Sequence, residues 1–172
     1  MKNDKALVLL SGGQDSATCL AVALHHFNGQ VDTIGFDYGQ RHKIELFQAQ
    51  KIASLAGVPF QVFDIRVLAQ LTDNALTRHD RKIEESPEPN TPPSTNVDGR
   101  NQLFLTLGGI YAKQNNIQTI YTGVCQTDFS NYPDCRDIFI KSLNVTLNLS
   151  MNYDFFLKTP LMFPDFVGLV RK

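Results

Sequence analysis

Five short apolar runs punctuate the chain: ALVLL (6–10), TIGFD (33–37), FQVFDI (60–65), TIYTGV (119–124) and FFLKT (155–159). Each suits a strand buried on both faces. Between the runs the apolar positions change to a helical period. Ala17, Leu20, Leu24 and Phe27 share one face, as do Ile44, Phe47, Ile52 and Leu55, then Leu103, Leu107, Ile110 and Tyr111, and last Ile140, Leu143, Leu147 and Met151. These stripes predict four helices that turn those side chains to the core. Asn28-Gly29 and Gly57-Val58-Pro59 are stop signals for the first two, since a helix end favours glycine at positive φ. Strand and helix in alternation imply right-handed crossovers, and hence an α/β fold with a parallel sheet covered by helices on both faces.

The alternation breaks at residues 78–100, RHDRKIEESPEPNTPPSTNVDGR, which hold four prolines and little that is apolar. They predict a mobile lid or partner-contact loop beside the site, with a passive insertion as the alternative. At 172 residues, 42% hydrophobic and with 12 Phe, the chain has enough apolar material for one core, so a single domain over 1–172 is expected. The formal net charge of −1 argues against a nucleic-acid backbone or an anionic membrane as partner, and a local site must carry the function. Cys19, Cys125 and Cys135 are too few and too scattered for a disulfide framework and fit a reducing compartment. The apolar run after Lys5 is shorter than the ~7 to 15 residues of a signal peptide, so the expected location is cytoplasmic. The sequons Asn144-Val145-Thr146 and Asn148-Leu149-Ser150 then read as chance matches.

In LVLLSGGQDSATCLAV (7–22) the first strand runs into a polar loop with two glycines and straight on into a helix. Ligands of open parallel sheets sit outside the carboxyl ends of the strands, where this loop lies. Gly12 and Gly13 let the backbone approach an anion, the N–H groups at the helix start point at it, and the hydroxyls of Ser11 and Ser16 add donors. Neither G-x-x-x-x-G-K-[ST] nor G-x-G-x-x-G is present, so this is a phosphate cradle without a lysine. Asp15 beside phosphate would repel it unless a divalent cation stood between them, which implies Mg²⁺. The alternative is that Asp15 only decorates the first helical turn.

SGGQDS after a buried strand resembles the S-G-G-x-D-S loop of the ATP pyrophosphatases, the PP-loop superfamily. The resemblance implies a Rossmann-like sheet of the adenine nucleotide alpha hydrolase type. It implies ATP held by Leu10, Ser11, Gly12, Gly13, Gln14, Asp15, Ser16, Ala17, Thr18, Cys19 and Leu20, with Asp37 and Tyr38. ATP would then be cleaved between its α- and β-phosphates as an acceptor attacks the α-phosphorus. FDYGQRH (36–42), GRNQLFLTL (99–107), TGVCQTDFSNYPDCRDIFIKSLN (122–144) and TPLM (159–162) narrow the resemblance to the 7-cyano-7-deazaguanine synthases of queuosine biosynthesis, over nearly the whole chain. That resemblance implies 7-carboxy-7-deazaguanine and ammonia as substrates. The carboxylate is adenylated, ammonia displaces AMP to give an amide, and a second activation with dehydration yields the nitrile.

The residue chemistry is compatible with this. Asp37, Tyr38, Gly39, Gln40 and Arg41 leave the second strand at the sheet edge where ribose and base would lie, and Arg41 can pair with phosphate or carboxylate. Arg100 and Asn101 precede the third helix, where Asn101 serves either the substrate or an N-cap. Asp128, Asp134 and Arg136 offer acceptors and donors to a guanine-like edge, and Phe129 and Tyr132 offer flat faces for stacking. A surface turn leading to a Pro133-initiated helix would also account for that stretch. The candidate catalytic residues are Asp15, Arg41 and Asp128, with Asp15 the candidate for Mg²⁺ through phosphate. The candidate substrate-binding residues are Gln40, Arg100, Asn101, Asp128, Phe129, Tyr132, Asp134 and Arg136. Cys125 and Cys135 lack metal-ligand spacing and read as small buried residues. The family carries a C-terminal four-cysteine zinc segment, whereas this chain ends in FPDFVGLVRK, so a truncated form without zinc is expected. A catalytically incomplete nucleotide-binding remnant, or another PP-loop ligase or tRNA-modifying enzyme, is the alternative. The expected partners are small molecules, with no membrane and no direct nucleic acid; a homodimer is compatible.

Overall fold

A computed structural model describes residues 5–39, 44–71, 97–126 and 132–163. Strands β1 (Ala6–Leu9), β2 (Val31–Asp37), β3 (Phe60–Asp64), β4 (Thr119–Tyr121) and β5 (Phe156–Lys158) form one sheet in the order β3-β2-β1-β4-β5. Every pair is parallel, with Ala6 of β1 opposite both Val31 of β2 and Thr119 of β4. The chain winds outward from β1 to β3 and then crosses back to β4, so the strand order reverses beside β1. A crevice opens at the carboxyl ends of the strands there.

Alternation along β1 builds two layers. Leu7 and Leu9 face α4 (Arg100–Gln114) and α5 (Asp137–Met151), meeting Leu105, Ala112, Ile140, Leu143 and Leu147. Ala6, Val8 and Leu10 face α1 (Gln14–His26) and α2 (Ile44–Ala56), meeting Cys19, Leu20, Ala23, Ala49 and Ala53. Each large side chain fully buried in this way contributes about 1.5–3 kcal/mol. A short α3 (Val67–Leu71) and a 3-10 turn at Pro133–Cys135 complete the elements. No described helix is long and apolar enough to cross a membrane.

The predicted stripe of α5 is the buried one: Ile140, Leu143 and Leu147 are in the core and Met151 packs against it. On α1, Leu20 is buried and Leu24 and Phe27 pack against the same layer. The stripe of α2 is a correction. Ile44, Phe47 and Leu55 are 63%, 66% and 80% exposed, Ile52 is half-buried, and the inward face belongs to Ala49 and Ala53. The reason is proximity: a Cβ on Gly12 would stand 2.2 Å from the Glu45 carbonyl oxygen and 2.9 Å from the Ala49 nitrogen. A helix backbone this near the loop admits only small residues on its inner face. On α4, likewise, Leu105, Gly108, Gly109 and Ala112 are buried, while Leu103, Leu107 and Tyr111 flank the core and Ile110 is exposed. A Cβ on Gly108 would lie 3.1 Å from Leu9 Cδ2.

Two boundaries also differ from expectation. The strand predicted over 119–124 ends at Tyr121, and Thr122, Gly123 and Val124 line the crevice. Arg100 and Asn101 begin α4 rather than preceding it. Of the predicted loop, residues 78–96 lie outside the described residues, and Val97 is buried with Tyr38 and Leu68.

The two sequons have a packing role. Asn144 Oδ1 accepts from Leu157 N at 2.7 Å, Asn148 Oδ1 accepts from Phe155 N at 2.8 Å, and Asn144 Nδ2 donates to Phe155 O at 3.0 Å. These asparagines satisfy the outer edge of β5, which would otherwise present bare backbone groups. Beyond β5, Met162 is buried and its carbonyl accepts from Gln126 N at 3.2 Å, tying the TPLM segment to the chain leaving β4.

Candidate active site

The loop from β1 to α1 is shaped by what cannot fit in it. Gly12 sits at φ +91 with the α2 backbone against it, so a side chain there is excluded twice, by conformation and by space. On the other side, a Cβ on Gly123 would come within 2.9 Å of Asp15 C and Ser16 N. The chain leaving β4 therefore lies directly on the first turn of α1.

Ser11 and Ser16 brace the loop from inside. Ser16 Oγ donates to Gly13 O at 2.9 Å and accepts from Ser11 N at 3.2 Å and Ser11 Oγ at 3.1 Å. Ser11 Oγ in turn accepts from Gly13 N at 3.4 Å. Their hydroxyls are thus committed to the fold of the loop, a correction to the expectation that they serve as donors to an anion. What is left for an anion is backbone. The N-cap Gly13 makes no side-chain capping bond, and the first helical bond recorded there is Ala17 N to Gly13 O at 3.1 Å. The N–H groups of the first turn precede it, at the positive end of the helix dipole.

This loop forms one end of a cleft of about 490 Å³. The middle is framed by Leu10, Ile34, Gly35 and Phe36 at the strand ends. Phe104 stacks on Phe36 with ring centroids 4.6 Å apart and lies 5.6 Å from Tyr38. The Arg100 guanidinium stands 5.9 Å above the Tyr38 ring. Burial pushes the Tyr38 phenol above its ordinary range, and Arg100 pulls the other way. The far wall carries Asn101, Cys125, Tyr132 and Cys135. Asp134 Oδ2 accepts from Asn101 N at 3.0 Å, so a carboxylate from the 3-10 turn caps the first turn of α4. That replaces the N-cap reading of Asn101, since Gly99 occupies the N-cap position. Burial, then the Asp134 charge, pushes the Cys135 thiol up to about 11.

Of the residues expected to hold a nucleotide, Leu10, Ser11, Gly13, Gln14, Asp15, Ser16 and Tyr38 line the cleft. Gly12, Ala17, Thr18, Cys19 and Leu20 do not. The Ala17 N–H is taken by the helix, Thr18 Oγ1 donates to Gln14 O at 3.0 Å, and Cys19 and Leu20 face the core layer beneath. Asp37 also stands outside the lining, its Oδ1 accepting from Gly39 N at 3.0 Å in the turn that ends β2. Of the expected acceptor residues, Arg100, Asn101 and Tyr132 line the cleft, Asp134 stands just behind the wall, and Arg136 is exposed at the start of α5. Gln40, Arg41, Asp128 and Phe129 lie outside the described residues. Sequence reasoning missed Glu45, Phe104, Gly123 and the two wall cysteines as lining residues. Phe104, Gly123 and the cysteines stand inside motifs already singled out; no sequence signal marks Glu45.

Among the described residues, no group of three or more His, Cys, Asp and Glu could hold a metal ion. A cation beside Asp15 would therefore draw most of its oxygen ligands from a bound phosphate and water, as Mg²⁺ commonly does.

Two solved structures share the fold. The chain superposes on an NH3-dependent NAD synthetase from Campylobacter jejuni with a TM-score of 0.51 at 15% identity, covering 88% of this chain and 67% of that one. It superposes on a predicted subunit of tRNA methyltransferase from Methanocaldococcus jannaschii with a TM-score of 0.57 at 19% identity, covering 97% and 74%. In sequence it is 53% identical over 165 residues to a 7-cyano-7-deazaguanine synthase of Clostridium acetobutylicum, spanning 96% of this chain and 74% of that relative. The model of the family described as queuosine biosynthesis protein QueC matches residues 5–170, and the chain belongs to that family.

Proposed function

We infer that this chain is an ATP-dependent ligase that converts 7-carboxy-7-deazaguanine and ammonia to 7-cyano-7-deazaguanine, releasing AMP and pyrophosphate. The observation that carries this reading is a single cleft joining two kinds of wall. The uncapped first turn of α1 suits pyrophosphate, and the wall of Arg100, Asn101 and Tyr132 suits a flat, polar acceptor. The 53% identity to a synthase of that name supports the substrate class.

In this reading the backbone N–H groups of Gln14 to Ser16 hold the phosphates and stabilise the charge that develops on the leaving pyrophosphate. The N–H donors are already oriented by the two serines, so little reorganisation accompanies the reaction. Asp15, exposed at the rim, orients Mg²⁺, which neutralises phosphate charge when bound. Tyr38 and Phe104 supply faces for a base, and Arg100 a positive charge beside them. Arg41 and Asp128 complete the proposed catalytic set.

The test is to incubate the purified chain with ATP, Mg²⁺, ammonia and the carboxylic acid, and to analyse products by mass. AMP, pyrophosphate and the nitrile are expected. ADP in place of AMP would refute adenylation, and nucleotide binding without turnover would refute the ligase activity.

A further inference from the structure

The acceptor wall contains a polar chain whose direction is set by chemistry. Asp134 holds the backbone N–H of Asn101 through Oδ2 at 3.0 Å, and its Oδ1 stands 3.9 Å from Cys135 Sγ. Cys135 Sγ stands 3.4 Å from Asn101 Nδ2. A carboxylate only accepts hydrogen bonds, so the thiol hydrogen belongs to the Asp134 side. The sulfur is then left with lone pairs toward Asn101 and asks that side chain for a donor. Only the amide nitrogen of Asn101 can answer, which places the carboxamide oxygen away from the sulfur. The choice between the two amide orientations follows from this order. Among the described residues that oxygen accepts no hydrogen bond, and Asn101 lines the cleft.

We propose that Cys135 is a positioning residue that holds Asn101 with its carboxamide oxygen toward the acceptor, so that the wall selects a ring edge offering N–H donors. The thiol is suited to this because it is protonated at neutral pH, and burial moves it further from the thiolate. It is poorly suited to act as a nucleophile for the same reason. Serine at position 135 would preserve the order of donors and acceptors; alanine would release the Asn101 amide to turn.

The inference rests on the ligase reading, and kinetics on three proteins separate the two. In Cys135→Ala the KM for the carboxylic acid should rise about tenfold while the KM for ATP stays unchanged, the size expected for one lost directed hydrogen bond. Cys135→Ser should recover most of the acceptor KM. The unchanged ATP KM also shows that the alanine variant is folded. An unchanged acceptor KM in Cys135→Ala, an equal rise in both KM values, or a serine variant no better than alanine would each overturn the positioning role. Absence of nitrile from the wild-type chain would instead overturn the ligase reading, and this assignment with it.

Discussion

The two ends of the cleft are made of different material. The proposed phosphate end is backbone: a loop of six consecutive residues, Ser11 to Ser16, closed by its own serines and pressed between α2 and the chain leaving β4. The proposed acceptor end is side chains, brought from Asn101 and from Asp134 and Cys135, 33 and 34 positions away. A backbone site is held by excluded volume, so it tolerates almost no added atom and reads only charge and shape. A side-chain site is held by directed bonds, so it can be weakened in steps and can read the pattern of donors and acceptors on a ligand.

The largest effect should come from Gly12→Ala. The new methyl group would require an unfavourable positive φ, at about 1–3 kcal/mol, and would overlap the α2 backbone, at a further ~1–3 kcal/mol. Thermal unfolding with and without ATP and Mg²⁺ should show a destabilised protein that gains nothing from nucleotide. A variant as stable as the parent and still protected by ATP would break the claim that this end is sterically closed. A smaller effect is expected from Asp134→Ala. Losing the cap on α4 should lower stability by about 1 kcal/mol and raise the KM of the acceptor without raising that of ATP. A rise in the ATP KM of equal size would mean that the two ends are not separable.

The smallest effect concerns pH. Cys135 is raised from 9.0 to about 11 in the folded chain, by burial before the Asp134 charge. A thiol held neutral by folding contributes stability that is complete below its ordinary value and is lost as pH rises from there toward about 11. The thermal midpoint should therefore fall shallowly above pH 9, and Cys135→Ala should flatten that part of the profile. Cys19, raised to about 12 by burial and then by Asp15, and the phenols of Tyr38, Tyr111, Tyr121 and Tyr153, raised by burial, contribute to the remaining slope.

The loop of Ser11 to Ser16 was legible in the sequence as a strand-to-helix turn at the cleft, because its residues are contiguous and Gly12 marks a conformation no other residue adopts well. The residues of the far wall were legible only as a set of names. That Asp134 caps α4, and that Cys135 faces the Asn101 amide, depends on a tertiary contact that spacing along the chain does not encode. The helices divide in the same way. α5 leans on the sheet through large residues, and its stripe predicted its buried face, Ile140, Leu143 and Leu147. α2 approaches so closely that alanines turn inward and Phe47 and Leu55 turn out, which inverts the usual reading of an amphipathic helix. Small residues on a helix near a glycine loop are the signal that could have corrected it. The sequons, read as chance matches, gave no sign of the backbone edge that Asn144 and Asn148 satisfy.

The central claim is that the phosphate loop and the acceptor wall act on one bond, between the α- and β-phosphates, and only when both are occupied. Exchange of labelled pyrophosphate into ATP measures this directly. Exchange should be absent with ATP, Mg²⁺ and pyrophosphate alone and should appear when the carboxylic acid is added without ammonia. Equal exchange with and without the acid, or formation of ADP, would contradict it.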